Sequence, residues 1–236
     1  MKKIIISFIQ LIFFVVLIIS LYKIFNWYKD NKNNEQIINE ISNSIKIDND
    51  NKTIVDFQSL KRMNNDTIGY IKINNTNIDY PVVKYIDNDY YLNHNFEKKS
   101  NVGGWIFLNY NNNIDDKNII IFGHNMKNGS MFGTLKNTLK KEWQQNKSNH
   151  TFKFITEEKE YTYKIFSTYQ TKVEDYYLKN NFNNDKEYMN FINTIKKRSN
   201  YDYNVDINSN DKIITLSTCS GNNYRVVVHA KKVMEE

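Results

Sequence analysis

The chain is short of the residues that usually staple or punctuate a fold. It has one cysteine, Cys219, one proline, Pro81, one alanine, Ala230, and seven glycines among 236 residues. A single cysteine excludes an internal disulfide, and no cysteine–histidine cluster has the spacing of a zinc site. No glycine-rich phosphate loop is visible. The residues therefore point to neither a metal nor a cofactor. The near-absence of alanine also removes the small-residue site at which a secretory leader is cut.

Acidic residues are missing from the first 29 positions, where Lys2, Lys3, Lys23 and Lys29 supply four of the six net positive charges. The excess of two left for the remaining chain is too small to mark a nucleic-acid surface. What the chain does have is apolar mass. Hydrophobic residues make up 40% and aromatics 14%, enough to build a core and to exclude global disorder.

Ile4 to Leu21 is apolar except for Ser7, Gln10 and Ser20, and Ile24 and Phe25 extend it. A helix of that length spans a hydrocarbon core of about 30 Å, and Trp27 and Tyr28 suit its interface. Residues 1–28 are thus expected to form an uncleaved membrane anchor. Lys2 and Lys3 favour an N-terminus on the cytoplasmic side, with the rest of the chain outside the cell, although Lys23 and Lys29 flank the other end. Residues 29–66 form a polar, asparagine-rich segment in which Ile37, Ile38, Ile41 and Ile45 recur at helical spacing. It reads as a helix packed on the domain or as a partly ordered stalk. A second short helical pattern covers Asp56 to Met63.

From Thr67 the period changes to two, and residues 67–236 read as one strand-rich domain. Strands are expected at Ile68–Ile73, Ile78–Val83, Trp105–Leu108, Asn118–Phe122, Phe152–Thr156 and Tyr161–Gln170. Pro81 marks an edge strand or the start of its strand. Asp87 to Phe96 reads as a short helix or loop with Asp87 as cap. Gly129 to Trp143 and Asp185 to Ser199 read as helices, the first capped by Ser130. Two last strands run from Ile213 and from Tyr224, joined by the polar turn Ser220 to Asn223. About eight strands with short links and two good helices suggest a closed β-barrel decorated by helices. No internal repeat stands out.

Cys219 ends one of those last strands, among Ser217, Thr218, Ser220 and Gly221, and five residues separate it from Arg225. A free cysteine is most often a small buried hydrophobe, but these polar neighbours favour a reactive thiol. Such a thiol needs a proton carrier. His124 is the best candidate, because it follows the Asn118–Phe122 strand and Gly123 and so sits at a strand end as Cys219 does. His229 competes, but alternation places it further along its strand. His94 and His150 lie in polar stretches and read as surface residues. Arg225 stays protonated and can hold an oxyanion or a substrate backbone.

The run T-L-S-T-C at Thr215–Cys219, Arg225 at the following strand start and G-H at Gly123–His124 resemble the sortases, membrane-anchored cysteine transpeptidases of Gram-positive bacteria. The D-N-x-Y-Y-L stretch at Asp87–Leu92, M-F-G-T-L at Met131–Leu135 and the helix at Asp185–Ser199 resemble class B in particular, over roughly Ile68 to Val233. The resemblance implies an eight-stranded sortase barrel and a catalytic set of Cys219, His124 and Arg225. It implies a substrate groove lined by Asn88, Leu92, Tyr177, Leu178 and Ser217. The partners it implies are surface proteins with a C-terminal sorting signal of the N-P-x-T-x or x-P-x-T-G kind, and a peptidoglycan precursor amine as acceptor. Two departures stand out. The interval from Cys219 to Arg225 is shorter than in several class B members, and Phe122 stands where a tyrosine often precedes Gly-His. The competing readings are a sortase of another class, such as a pilus polymerase, and a membrane-tethered barrel that binds a surface ligand without using Cys219.

Overall fold

Alternating β-branched and aromatic residues from Thr67 onward become the walls of a barrel. The structure, a computed structural model, describes residues 2–49, 52–219 and 223–236. The barrel strands begin with β3 (Thr67–Ile73), β4 (Asp79–Lys84), β5 (Phe107–Leu108) and β6 (Asn118–Phe122). They continue with β7 (Thr151–Ile155), β8 (Glu160–Lys172), β9 (Ile213–Cys219) and β10 (Tyr224–Glu235). Around the barrel the order is β10–β8–β7–β3–β4–β5–β6–β9, and β9 closes it by pairing with β10. Most neighbours are antiparallel, but β4–β5 and β6–β9 are parallel.

Inward side chains such as Ile71, Val82, Ile119, Phe154, Ile165, Ile214, Leu216 and Val228 are sealed from solvent. Pro81 lies within the closed ladder rather than on an edge strand. Its strand β4 nonetheless pairs with β5 only at Val83 and Lys84, so the missing amide of Pro81 interrupts no bond on that side. The Pro81 carbonyl accepts instead from the buried Trp105 indole N–H at 2.9 Å. Of the expected strand Trp105–Leu108, only Phe107 and Leu108 pair.

The apolar N-terminal segment and the isoleucine-patterned segment after it form one helix, α1 (Lys2–Ser42). Its first part, from Ile4 through Phe25, is exposed and is long and apolar enough to cross a membrane. Its last turns bury Asn31, Asn34, Ile37 and Ile41 against the barrel. A hairpin of β1 (Ile45–Ile47) and β2 (Thr53–Val55) follows, then α2 (Phe57–Met63). Asp56 caps α2 by accepting from the Ser59 amide at 3.0 Å. The residue pattern does not announce the hairpin, because its strands are only three residues long and polar residues flank them.

The expected helix over Gly129–Trp143 is instead a loop, a 3-10 turn at Leu135–Leu139 and a short α3 (Lys141–Gln145). Gly129 and Met131 take left-handed backbone angles, φ 83° and 52°, which no α-helix continues through. The helix expected after Asn184 does form, as α4 (Asp185–Lys197). It buries Tyr188, Phe191, Ile192 and Ile195, and its last turn is tied to β8 where Ser167 Oγ donates to the Ile195 carbonyl at 2.7 Å.

Leu216 is fully buried in the middle of β9. Leu216→Ala is expected to lower the unfolding free energy by about 2–5 kcal/mol, as cavities of this kind do. Chemical denaturation measures it, and a change under about 0.5 kcal/mol, the scale of a surface substitution, would place Leu216 outside the core.

Candidate active site

Strands β6 and β9 run parallel, with Phe122 opposite Ser217. Their C-terminal ends therefore lie side by side at one end of the barrel. Two residues past that pairing on each strand stand His124 and Cys219. The two ends are laced together, since the Gly123 amide donates to the Ser217 carbonyl at 3.3 Å. Thr218 Oγ1 donates to the Gly123 carbonyl at 2.7 Å, inside the protein. On the other side of β9, Arg225 of β10 is the register partner of Cys219. Three neighbouring strands thus bring a thiol, an imidazole and a guanidinium to one rim.

That rim opens into a cleft of about 340 Å³. His124, Cys219 and Arg225 all line it, as do Asn88, Leu92, Tyr177, Leu178 and Ser217, so the catalytic set and the groove residues expected from the resemblance all border one cavity. Phe107, Phe122 and Thr218 line it as well. Cys219 is half-buried and carries a free thiol. Arg225 is half-buried, with Nη1 donating to the Tyr224 carbonyl at 3.0 Å. The turn Ser220–Gly221–Asn222 between these two residues lies outside the described residues.

His124 Nε2 lies 2.7 Å from the Leu92 carbonyl oxygen. A carbonyl can only accept, so Nε2 carries a proton and Nδ1 is left to exchange one. The residues on either side of Leu92 are themselves held. The Trp105 amide donates to Tyr91 O at 2.8 Å, and the Asn101 amide to Asn93 O at 2.8 Å. Gly104 backs this arrangement in a left-handed conformation, φ 54°. A Cβ there would strike the Tyr91 carbonyl and come within 2.9 Å of both the Leu92 carbonyl and His124 Cδ2.

The cleft walls are two 3-10 turns with the same sequence, Asp89-Tyr90-Tyr91-Leu92 and Asp175-Tyr176-Tyr177-Leu178. In each, the second tyrosine is buried while the aspartate and leucine face the cleft. A recurrence of only four residues escapes a search for repeats, yet it marks both walls. Asn88 braces the first wall, as its Oδ1 accepts from the Tyr110 amide at 3.0 Å and its Nδ2 donates to Asn109 at 3.2 Å. The Tyr177 hydroxyl meets Ser217 Oγ at 3.1 Å on the cleft floor. Burial raises the Tyr177 pKa and keeps that hydroxyl protonated; Ser217 and Arg225 oppose the rise, while Cys219 adds to it.

His229, the competing candidate, is fully buried on the outer face of the sheet against Phe191 of α4, and pairs with Thr215, four positions down the strand from Cys219. Thr215 Oγ1 donates to Asn118 Oδ1 at 2.7 Å, so it accepts from His229 Nδ1–H at 2.8 Å. Nε2 is then bare and accepts from the Tyr169 hydroxyl at 2.9 Å. Burial, helped by the Arg198 charge, lowers the His229 pKa to about 3. It is a neutral core residue, satisfied on both nitrogens. His150 is also buried, with Nε2 donating to the Gln144 carbonyl at 2.7 Å, which corrects its reading as a surface residue. His94 is half-exposed and stacks on Tyr90.

The chain and its fold have known relatives. The family model described as the sortase domain matches residues 71–233. Sortase B of Listeria monocytogenes is 38% identical over 166 residues, covering 70% of this chain and 67% of that protein. The crystal structure of sortase B from Bacillus anthracis superposes with a TM-score of 0.78 at 32% identity, over 87% of this chain and 99% of the other. A Staphylococcus aureus sortase B–substrate complex superposes with a TM-score of 0.71 at 29% identity, over 88% and 94%.

Gly104→Ala is expected to displace His124 and the Leu92 carbonyl, lowering turnover by about tenfold or more with a smaller loss of stability; unchanged turnover would show that the backbone there does not set the imidazole. For His229 the sign of the pH effect follows from its lowered pKa. Between about pH 6.5 and pH 3 the unfolded chain binds a proton that the folded chain refuses. Its stabilising contribution is therefore complete above about pH 6.5 and is lost as pH falls. His229→Gln should remove up to about 2 kcal/mol of the stability lost between about pH 7 and pH 5, measured by urea unfolding. An identical pH slope in both proteins would contradict the buried neutral state.

Proposed function

The chain belongs to the sortase family and is a class B sortase, a cysteine transpeptidase, and on that premise we propose that Cys219, His124 and Arg225 carry its reaction. The observation that carries this reading is the strand register: β6, β9 and β10 deliver the three side chains to one rim of one cleft.

In the first half-reaction Cys219 passes its thiol proton to His124, and its Sγ attacks the carbonyl carbon of the threonine in an N-P-x-T-x or x-P-x-T-G sorting signal. The tetrahedral oxyanion that forms is held by Arg225, which cannot give up its charge. The C–N bond breaks, His124 protonates the departing amine, and the signal's N-terminal part remains on Cys219 as a thioester. In the second half-reaction the amine of a peptidoglycan precursor attacks the thioester carbonyl. His124 removes its proton, the C–S bond breaks, and the sulfur leaves as the thiol or thiolate. His124 Nδ1 is the atom that moves these protons, because Nε2–H is engaged by Leu92.

The signal lies extended between the two D-Y-Y-L walls, gripped by Leu92 and Leu178 over the Tyr177–Ser217 floor and bordered by Asn88. The S. aureus sortase B–substrate complex supports a groove of this class here. Residues 1–28 anchor the enzyme in the cell membrane with the N-terminus in the cytoplasm. The barrel of residues 67–236 works on the outer face, joined to the anchor through residues 29–66, and its partners are secreted proteins bearing the signal.

Incubation with a panel of N-P-x-T-x and L-P-x-T-G peptides tests the assignment. Cys219→Ala is expected to abolish cleavage with the fold intact. His124→Ala should lower it by about a hundredfold or more, and His229→Ser should leave most of it. Turnover retained by Cys219→Ala, or lost only in the His229 variant, would overturn these roles.

A further inference from the structure

The imidazole of His124 is set by a carbonyl, and the loops that hold that carbonyl are gripped from outside the barrel. One turn of α1, just past the exposed apolar stretch, makes the contacts. Asp30 Oδ2 accepts from the Val102 amide at 2.9 Å, and the Asp30 carbonyl accepts from Asn101 Nδ2 at 3.0 Å. Asn34 Nδ2 donates to Asn101 Oδ1 at 3.2 Å, and that same oxygen takes the Gly103 amide at 2.8 Å. Asn31 Oδ1 accepts from Asn128 Nδ2 at 3.3 Å. The first contacts hold the Asn101–Gly104 loop, whose far side backs Leu92 and His124. The last holds the loop that leads away from His124 itself. Asn31, Asn34 and Asn101 are all buried, so water competes little for these bonds.

We propose that Asp30, Asn31 and Asn34 are positioning residues for His124. They form a clasp between the juxtamembrane helix and the two loops that set the imidazole. The inference rests on His124 being the proton carrier. Each link is a short-range contact: α1 to Asn101 and Val102, Asn101 to the Asn93 carbonyl, Trp105 to the Tyr91 carbonyl, and Leu92 to His124 Nε2. A reacting group displaced by about 1 Å can lose two orders of magnitude in rate, so slack anywhere along this chain reaches the reaction. Loss of Asn34 alone leaves Asn101 Oδ1 still paired with Gly103 and leaves Asp30 on Asn101 and Val102, so the loop keeps its fold while its outer hold is weakened. The clasp begins two residues, about 3 Å, past Tyr28 and ends six residues, about 9 Å, past it. The geometry of the catalytic imidazole thus depends on a segment at the edge of the apolar stretch and not on the barrel alone.

The test uses the full chain in detergent micelles with the N-P-x-T-x or L-P-x-T-G peptide that the wild type turns over fastest. Asp30→Ala/Asn34→Ala is expected to lower kcat by about tenfold while KM changes by less than about twofold. Asp30→Asn, which keeps an oxygen for the Val102 amide, should restore most of the loss seen in Asp30→Ala. A rise in KM alone, an unchanged kcat, or an Asp30→Asn variant as slow as Asp30→Ala would overturn the proposal. Should the double variant fail to fold, Asn34→Ala alone must still lower kcat by about threefold or more at unchanged KM, and wild-type kcat there overturns it equally. His124→Ala run alongside separates the two inferences. If it is inactive while the clasp variants are wild-type, only the clasp fails; if it is active, the proton-carrier role fails and the clasp with it.

Discussion

The site depends on one parallel pairing. In an otherwise largely antiparallel barrel, β6 and β9 run the same way, so both chains leave the sheet at the same rim. Were that pair antiparallel, His124 and Cys219 would stand at opposite rims of the barrel. The bond from Thr218 to the Gly123 carbonyl then locks the residue before the thiol to the residue before the imidazole. Because β10 returns from β9 in antiparallel register, Arg225 arrives opposite Cys219 with no further device. Three residues spread over a hundred positions of sequence need only correct strand order to meet. Bonds in the middle of the barrel, as at Leu216 and Ile120, therefore matter to the site even though neither residue touches it.

The two histidines nearest this machinery show how environment divides one residue type into two roles. His229 lies in a chain of hydrogen bonds from Tyr169 through Thr215 to Asn118. Asn118 in turn donates to the Lys179 carbonyl at 2.8 Å, just past the second cleft wall. With both nitrogens satisfied and burial opposing its charge, His229 can hold a wall in place but cannot exchange protons at neutral pH. His124 has one nitrogen committed to a carbonyl and the other without a partner among the described residues, at the border of an open cleft. A proton carrier needs that asymmetry: enough restraint to fix the ring, and one nitrogen left for the substrate.

Much of this was legible in the sequence, for identifiable reasons. The long strands announce themselves through two-residue alternation, and α4 through its apolar face. Cys219, His124 and Arg225 stand out because each sits at the end or start of such a strand. Resemblance to the sortases supplied the groove residues, and all of them border the cleft. The failures share a cause. Gly129 to Trp143 carries helical spacing, but the left-handed backbone at Gly129 and Met131 overrides it for the sake of tertiary packing. His150 sits among polar neighbours in sequence and is buried by contacts that are not local. The D-Y-Y-L walls are too short to register as a repeat. The support behind His124 was invisible, because it consists of a carbonyl, a glycine and an asparagine loop, none of which bears chemistry of its own.

The central claim is that Cys219 takes the acyl group, and the most direct measurement is to catch it there. The wild-type enzyme is mixed with a cleavable N-P-x-T-x or x-P-x-T-G peptide without an amine acceptor, quenched in acid and digested with trypsin. Cleavage after Lys212 and Arg225 isolates a fragment, Ile213–Arg225, that contains the only thiol of the chain. Mass spectrometry is expected to find this fragment heavier by the N-terminal part of the signal, and to find the added mass gone once an amine is supplied. Peptide cleavage that proceeds with the fragment unmodified at every time point would contradict the account.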